Sequence, residues 1–312
     1  MRRLFWALVN CCYDFIRFVY FLTQICLDGF FSNPIRRKYA GTVVVLGNGP
    51  SLKEALPFME QHEAFKNVDF AVVNMFPSEE IFFKIKPKHY FITRYDLVND
   101  VTTPTAMFEM EQRQKVHANL QDRVDWELNL YIYRGNKRKF LEFSKITNKN
   151  IQISGVGGVP YTGYESFRNF FYAKGLSMPL IANSVNLAIY AMINSGYSNI
   201  LLYGVDFDVF KNILVDEKNQ IRYAVNHFYG DNQQPVTPYL NYKNMNRVKM
   251  SEFFTGILDT FKSHDLLSNY ADSQNVNIIN CTRDSYIDSY RRIPHDVELW
   301  DMETILKRCS TP

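Results

Sequence analysis

Four short stretches of this 312-residue chain carry side chains that could do chemistry. The first is Gly47-Asn48-Gly49-Pro50-Ser51, with Glu54 three residues beyond the serine. Glycine lets another group approach the main chain closely, and Ser-x-x-Glu is a capping box that opens a helix. Free amides at a helix N-terminus attract phosphate or carboxylate. The turn is therefore either an anion cradle or a tight strand-to-helix connection that binds nothing. It has neither the Gly-Lys-Ser/Thr of a P-loop nor Gly-x-Gly-x-x-Gly. The second stretch is Asp206-Phe207-Asp208, just after Gly204. Its alternate carboxylates either hold a Mg2+ or Mn2+ ion that bridges phosphates, or cap a loop and face solvent. The third is residues 226–231, in which His227 or Asp231 is a candidate general base. The alternative for His227 is an ordinary loop histidine. The fourth set stands where elements begin or end: Asn74, Arg94, Asn183 and Ser184. Lys243, Arg247 and Lys249 add cations that either meet phosphates or form a solvated face.

These residues need a frame. Residues 43–46 are a β-branched apolar run, which predicts a strand buried on both faces. A helix is expected over 51–64, strands over 68–74 and 88–93, a polar helix over 97–125, and a strand over 128–133. Residues 134–176 are mixed, with a loop at 155–163 and an aromatic helix around 164–172. Asn183-Ser184 caps a helix running to Ser195, and Gly196 stands where a C-terminal glycine belongs. Residues 200–205 form a buried strand, 211–248 a long lid-like loop, 250–272 a helix and 276–280 a last core strand. The tail, with Pro294, Trp300 and Leu306, is expected on the surface. Strands alternating with helices predict an α/β fold, Rossmann-like, with a mostly parallel sheet flanked by helices.

A net charge of +3 gives no footprint for nucleic acid. Five cysteines without metal spacing point to a reducing compartment. Residues 4–31 are strongly apolar, with Arg3, Asn10, Asp14, Arg17, Gln24 and Asp28 gathered in one wedge of a helix. Two mid-segment charges roughly cancel the insertion gain of the apolar residues. The expectation is an in-plane amphipathic anchor, with Arg2, Arg3 and Arg36-Arg37-Lys38 at anionic headgroups. A helix packed on the domain and a membrane span are the alternatives. The chain thus divides into an anchor and basic linker, 1–38, and a Rossmann-like domain, 39–312, which the resemblance described next implies to be nucleotide-sugar-binding and catalytic.

The Gly47–Leu52 turn, the Asn183-Ser184 helix leading into residues 200–208, and the 227–231 loop together resemble bacterial sialyltransferases that use a CMP-linked donor. They are also similar to the wider superfamily that includes MptE-like 6-hydroxymethylpterin diphosphokinases. The resemblance implies a nucleotide held by Gly47, Asn48, Gly49, Asn74 and Ser184. It implies no required metal. The family's catalytic histidine stands where this chain has Asp231, and His227 matches an earlier histidine of that loop. A family arginine is Ile181 here, and a tyrosine is Asp208. The implied activity is transfer of a sugar to a membrane-associated glycan, such as a lipid-linked saccharide, at the cytoplasmic face of the inner membrane. A magnesium-dependent pyrophosphokinase and a non-catalytic scaffold of glycan assembly are the competing expectations.

Overall fold

The computed structural model describes residues 2–28, 35–93, 104–133, 145–223, 227–228, 237–238 and 246–309. The chain begins with α1 (Arg2–Asp28), β1 (Thr42–Leu46), α2 (Leu52–Gln61), β2 (Asp69–Val73), α3 (Ile81–Ile85), β3 (His89–Ile92), α4 (Pro104–Asp122) and β4 (Leu128–Tyr133). It continues through β5 (Ile151–Val156), β6 (Val159–Pro160), α5 (Glu165–Ala173), β7 (Ser177–Met178), α6 (Ser184–Ser195) and β8 (Asn199–Tyr203). The last elements are β9 (Ile213–Val215), β10 (Ile221–Tyr223), β11 (Thr237–Pro238), α7 (Met250–Ser273), β12 (Asn277–Asn280), β13 (Arg291–Arg292) and α8 (Met302–Cys309).

Val43, Val44, Val45 and Leu46 are fully buried, so β1 must have neighbours on both edges and helices on both faces. It has them. The main sheet runs β13-β12-β8-β1-β2-β3-β4-β5, and every pairing in it is parallel. From β1 the chain steps outward to β5, then returns to lay β8 on the other side of β1. That reversal opens a crevice at the carboxyl ends of β1 and β8. Alternate residues of β1 serve two cores. Val44 and Leu46 pack with α2, α4 and α8; Val43 and Val45 pack with α6 and α7. The α/β, Rossmann-like architecture is therefore as the sequence predicts.

Four expectations need correction. Residues 151–156 form the edge strand β5, so Gly155 lies within a strand opposite Ile132 instead of opening a loop. Gln152 and Ser154 break its apolar run, as an edge strand tolerates. The 211–248 segment is not a plain loop, because β9, β10 and β11 pair as a small antiparallel sheet. Its turn closes on the Asp216 carboxylate, which accepts from the amides of Lys218 and Gln220 and from Arg222 Nε. Thirdly, the tail enters the core. Ile305 is fully buried, and Trp300 stacks on Phe58 with ring centres 4.0 Å apart. Fourthly, Ser51 makes no side-chain cap with its own helix; its hydroxyl is used elsewhere. Helix α1 is continuous, and Phe18, Phe21 and Ile25 pack on Val159, Tyr161 and Phe171. Among the described residues no helix is long and apolar enough to cross a membrane.

The opposite, amino-terminal edge of the sheet is tied by a buried polar cluster. Tyr197 Oη donates to Asp69 Oδ2 at 2.5 Å and lies 2.8 Å from His89 Nε2. The Tyr197 proton is thus committed to Asp69, so Nε2 donates and the His89 lone pair sits on Nδ1. Tyr39 stacks on Tyr197 and meets the His89 ring edge-on, which pins the entering chain to the domain. His89 is fully buried. Burial lowers its pKa to about 3, with Lys88 acting in the same sense and Asp69 against it.

The folded state therefore keeps His89 neutral, whereas the unfolded chain protonates near 6.5. Stability from this group is complete above that value and falls as the pH drops from about 6.5 towards 3, by up to about 1.4 kcal/mol per pH unit. His89→Gln should flatten the slope of unfolding free energy between pH 7 and pH 5 in urea titrations. A slope equal to that of the wild type would refute the assignment.

Candidate functional site

The two strand-end turns at the crevice interlock. The Gly47 amide donates to the Tyr203 carbonyl at 2.8 Å, and the Gly49 amide donates to the Gly204 carbonyl at 2.9 Å. Gly204 has a φ of +66°, a left-handed conformation that favours glycine. A Cβ on Gly47 would stand 2.3 Å from the Gly204 oxygen. One on Gly49 would stand 1.8 Å from Asp206 Oδ2. The glycines are thus required by the contact between the β1 and β8 turns themselves.

Asp206 fills the position at the α2 N-terminus that an anion would take. Ser51 donates its amide to Oδ1 at 3.2 Å and its hydroxyl to Oδ2 at 2.8 Å. The chain's own carboxylate takes the Ser51 donors there, while the amides of Leu52, Lys53 and Glu54 donate to the carbonyls of Gly49, Pro50 and Ser51. Asp206 is 8% exposed. Burial pushes its pKa above the usual carboxylate value; the Ser51 hydrogen bonds oppose this, and Asp208 adds to it. Phe207 between them has a φ of +52° and packs on Phe261, and Asp208 precedes the short helical turn at 209–212. A divalent ion does not fit this pair as it stands. Both Asp206 oxygens are committed, and no cluster of three or more potential metal ligands occurs among the described residues.

The polar residues expected at the other strand ends do come together. Asn74 closes β2 with a φ of +51°. Its Oδ1 accepts from Ser184 Oγ at 2.5 Å. The Ser184 hydroxyl also bonds to Thr93, just beyond β3. Asn183 caps α6, its side chain accepting from the Asn186 amide at 2.9 Å. Asn48 bridges the two halves of the edge, with Nδ2 donating to the Val73 carbonyl at 3.2 Å. The Asn48 carbonyl accepts from the Phe228 amide at 3.0 Å and lies 3.3 Å from His227 Nδ1. A carbonyl only accepts, so Nδ1 carries the proton and the basic lone pair is on Nε2. Phe228 anchors this arm by packing on Phe76.

His227, Asn48, Asn74 and Ser184 therefore form one connected line along the carboxyl edge, with Gly47, Gly49, Pro50, Ser51, Gly204 and Asp206 beside it. Arg94, Asp231 and Lys243 lie outside the described residues. Lys249 begins α7, where its amide donates to Glu252. Sequence reasoning missed Thr93, Thr282 and Ser285 as parts of this edge. Thr282 Oγ1 meets the Val205 amide, and Ser285 Oγ donates to the Val205 carbonyl. A Thr-x-x-Ser after the last core strand was the one available signal.

Gly49→Ala should destabilise the fold by about 2–4 kcal/mol, because the new methyl cannot coexist with the Asp206 carboxylate. Adding Asp206→Ala should return part of that loss in chemical denaturation. Additive losses in the double variant would show that the two residues do not share this contact.

No protein-family model matches the chain, and no curated protein matches it. The geometry of the carboxyl edge carries the functional argument.

Proposed function

We propose that this chain is a glycosyltransferase. It moves a sialic-acid-like sugar from a nucleotide donor, CMP-linked by preference, to a membrane-associated glycan. One observation carries the reading. Asn48, Asn74, Ser184 and His227 come from four separate segments and line one edge of a parallel sheet where its strand order reverses. These are also positions at which the sequence resembles the CMP-dependent sialyltransferases.

The amide groups of Asn48 and Asn74 and the Ser184 hydroxyl suit the hydroxyl and base edges of a nucleoside. The α2 terminus is taken by Asp206, so the donor phosphate is assigned to the positive N-terminal end of the twelve-residue α6. His227 Nε2 takes the proton of the acceptor hydroxyl. The acceptor oxygen bonds to the anomeric carbon while the bond from that carbon to the phosphate oxygen breaks. The nucleotide leaves with that electron pair. The donor set at Asp206 and Asp208 favours a route without a metal. It also weighs against a pyrophosphokinase, which needs a metal bridging phosphates. A membrane-bound glycan acceptor at the cytoplasmic face accords with the apolar, cation-flanked N-terminus.

Melting the protein with CMP, UDP, GDP, AMP and ATP, each with and without Mg2+ or Mn2+, tests this. CMP alone should stabilise by about 2.7 kcal/mol at a hundredfold excess over its Kd. Ser184→Ala should weaken CMP binding about tenfold. His227→Gln should keep CMP binding and lower turnover about 10²–10⁴-fold. A shift with ATP and Mg2+ only, accompanied by AMP release, would overturn the proposal in favour of the pyrophosphokinase. No shift with any nucleotide would leave the scaffold.

A further inference from the structure

Helix α5 buries Tyr172 and packs Phe171 against α1, yet it also buries Arg168, 6% exposed, and leaves Phe167 and Phe170 51% and 54% exposed. A helix at a water-facing surface normally buries its rings and shows its charges. Helix α1 lies against α5. Tyr164 Oη donates to the Cys11 carbonyl at 2.9 Å, and Phe18 stacks on Phe167 with ring centres 5.5 Å apart. Having spent Phe18, Phe21 and Ile25 on the domain, α1 still exposes Trp6, Tyr13, Phe15, Ile16 and Tyr20. The Phe18–Phe167 contact sets α5 against α1, and at 100° per residue the exposed Phe15 and Leu22 lie on the Phe18 side of α1. Large apolar side chains left in the open on two packed helices mark a surface that something covers.

The exposed charges indicate the occupant. Arg17 on α1, Lys174 just past α5, and Arg36, Arg37 and Lys38 on the chain entering the domain are all exposed. Lys174 Nζ sits over the Phe170 ring, 5.8 Å from its centre. Asp14 on α1 is paired with Arg17 at 3.5 Å. Aromatic rings flanked by cations match the boundary between acyl chains and anionic headgroups. A second copy of the chain fits less well, because a two-fold contact pairs the surface with itself and adds like charge to like across the interface. Lysine is also depleted from protein interfaces.

We infer that α1 and α5 together form one membrane-binding face that seats in the headgroup region of an anionic bilayer. The domain itself contributes Phe167 and Phe170. The globular part is then held against the lipid in one orientation, not tethered by a free N-terminal helix. This rests on the membrane part of the function proposed above and is independent of its nucleotide part.

The test is co-sedimentation of the full chain with phosphatidylcholine vesicles and with vesicles that also contain anionic phosphatidylglycerol. The wild type should bind the anionic vesicles more strongly. The double variant Phe167→Glu/Phe170→Glu should bind them about tenfold or more weakly, with an unchanged melting temperature. Phe167→Leu/Phe170→Leu should bind as the wild type does. If the glutamate pair melts low, Phe170→Gln alone should still show reduced binding. Wild-type partitioning by the folded glutamate pair would overturn the composite face and leave α1 as a lone anchor. Absence of vesicle binding would overturn it too, as would a solution dimer that the glutamate pair dissociates. Nucleotide melting shifts on the same samples keep a failed donor assignment separate from a failed membrane face.

Discussion

The carboxylate of Asp206, held by the amide and hydroxyl of Ser51, joins the two halves of the sheet at their most constrained point. Here the β1 and β8 turns approach so closely that neither Gly47 nor Gly49 can carry a Cβ. The contact has an electrostatic basis. An N-terminal helix end exposes donors and partial positive charge, and a buried carboxylate needs both. Each group thus satisfies the other away from water, and the crevice at the strand-order reversal is closed on one flank before any ligand arrives.

This closure divides the carboxyl edge. On one side lies the Asp206–Ser51 lock. On the other lies the polar line of Asn74, Ser184 and Thr93, where side chains bond mainly to one another. Hydroxyl and amide groups arranged in this way can exchange partners with a ligand at modest cost, since one hydrogen bond replaces another. Asn48 spans the division, with its amide on the β2 side and its carbonyl under the 227–228 arm. Left-handed backbone at Asn74 and Phe207 marks both sides as places where the chain bends sharply to aim a side chain.

The amino-terminal edge and the α1–α5 surface are governed by different balances. At the edge, His89, Tyr197 and Asp69 are sheltered and bonded in series, which gives rigidity at the expense of acid tolerance. His264 repeats the theme on α7, bonded to Tyr290 and held neutral by burial. On the α1–α5 surface Phe167 and Phe170 are left outside while Arg168 is inside. That arrangement is unfavourable in water and becomes favourable when the rings leave it.

The order of most core strands and of the helices that pack on them was legible in the sequence, because it depends on local pattern. The β-branched run at β1, the Asn183 cap and the Gly196 terminus of α6 all announce themselves within a few residues. The polar strand ends, including Asn74 and Ser184, could be read as candidates for the same reason. What each residue touches could not be read. The Ser51–Glu54 spacing suggests a capping box, yet Ser51 turns to Asp206, a residue 155 positions away. The Gly-rich turn suggests a cradle for an outside anion, yet the glycines make room for the β8 turn and Asp206. The aromatic pattern of α5 predicts a helix without saying which side faces out; packing against α1 and the sheet decided that. β5 and the tail escaped detection because an edge strand and a terminal helix need only part of an apolar pattern, the rest being supplied by the surface they cover. Local periodicity determined the elements. Only the tertiary structure decided their partners, because a carboxylate, a ring or a hydroxyl satisfies itself with whatever the fold brings near.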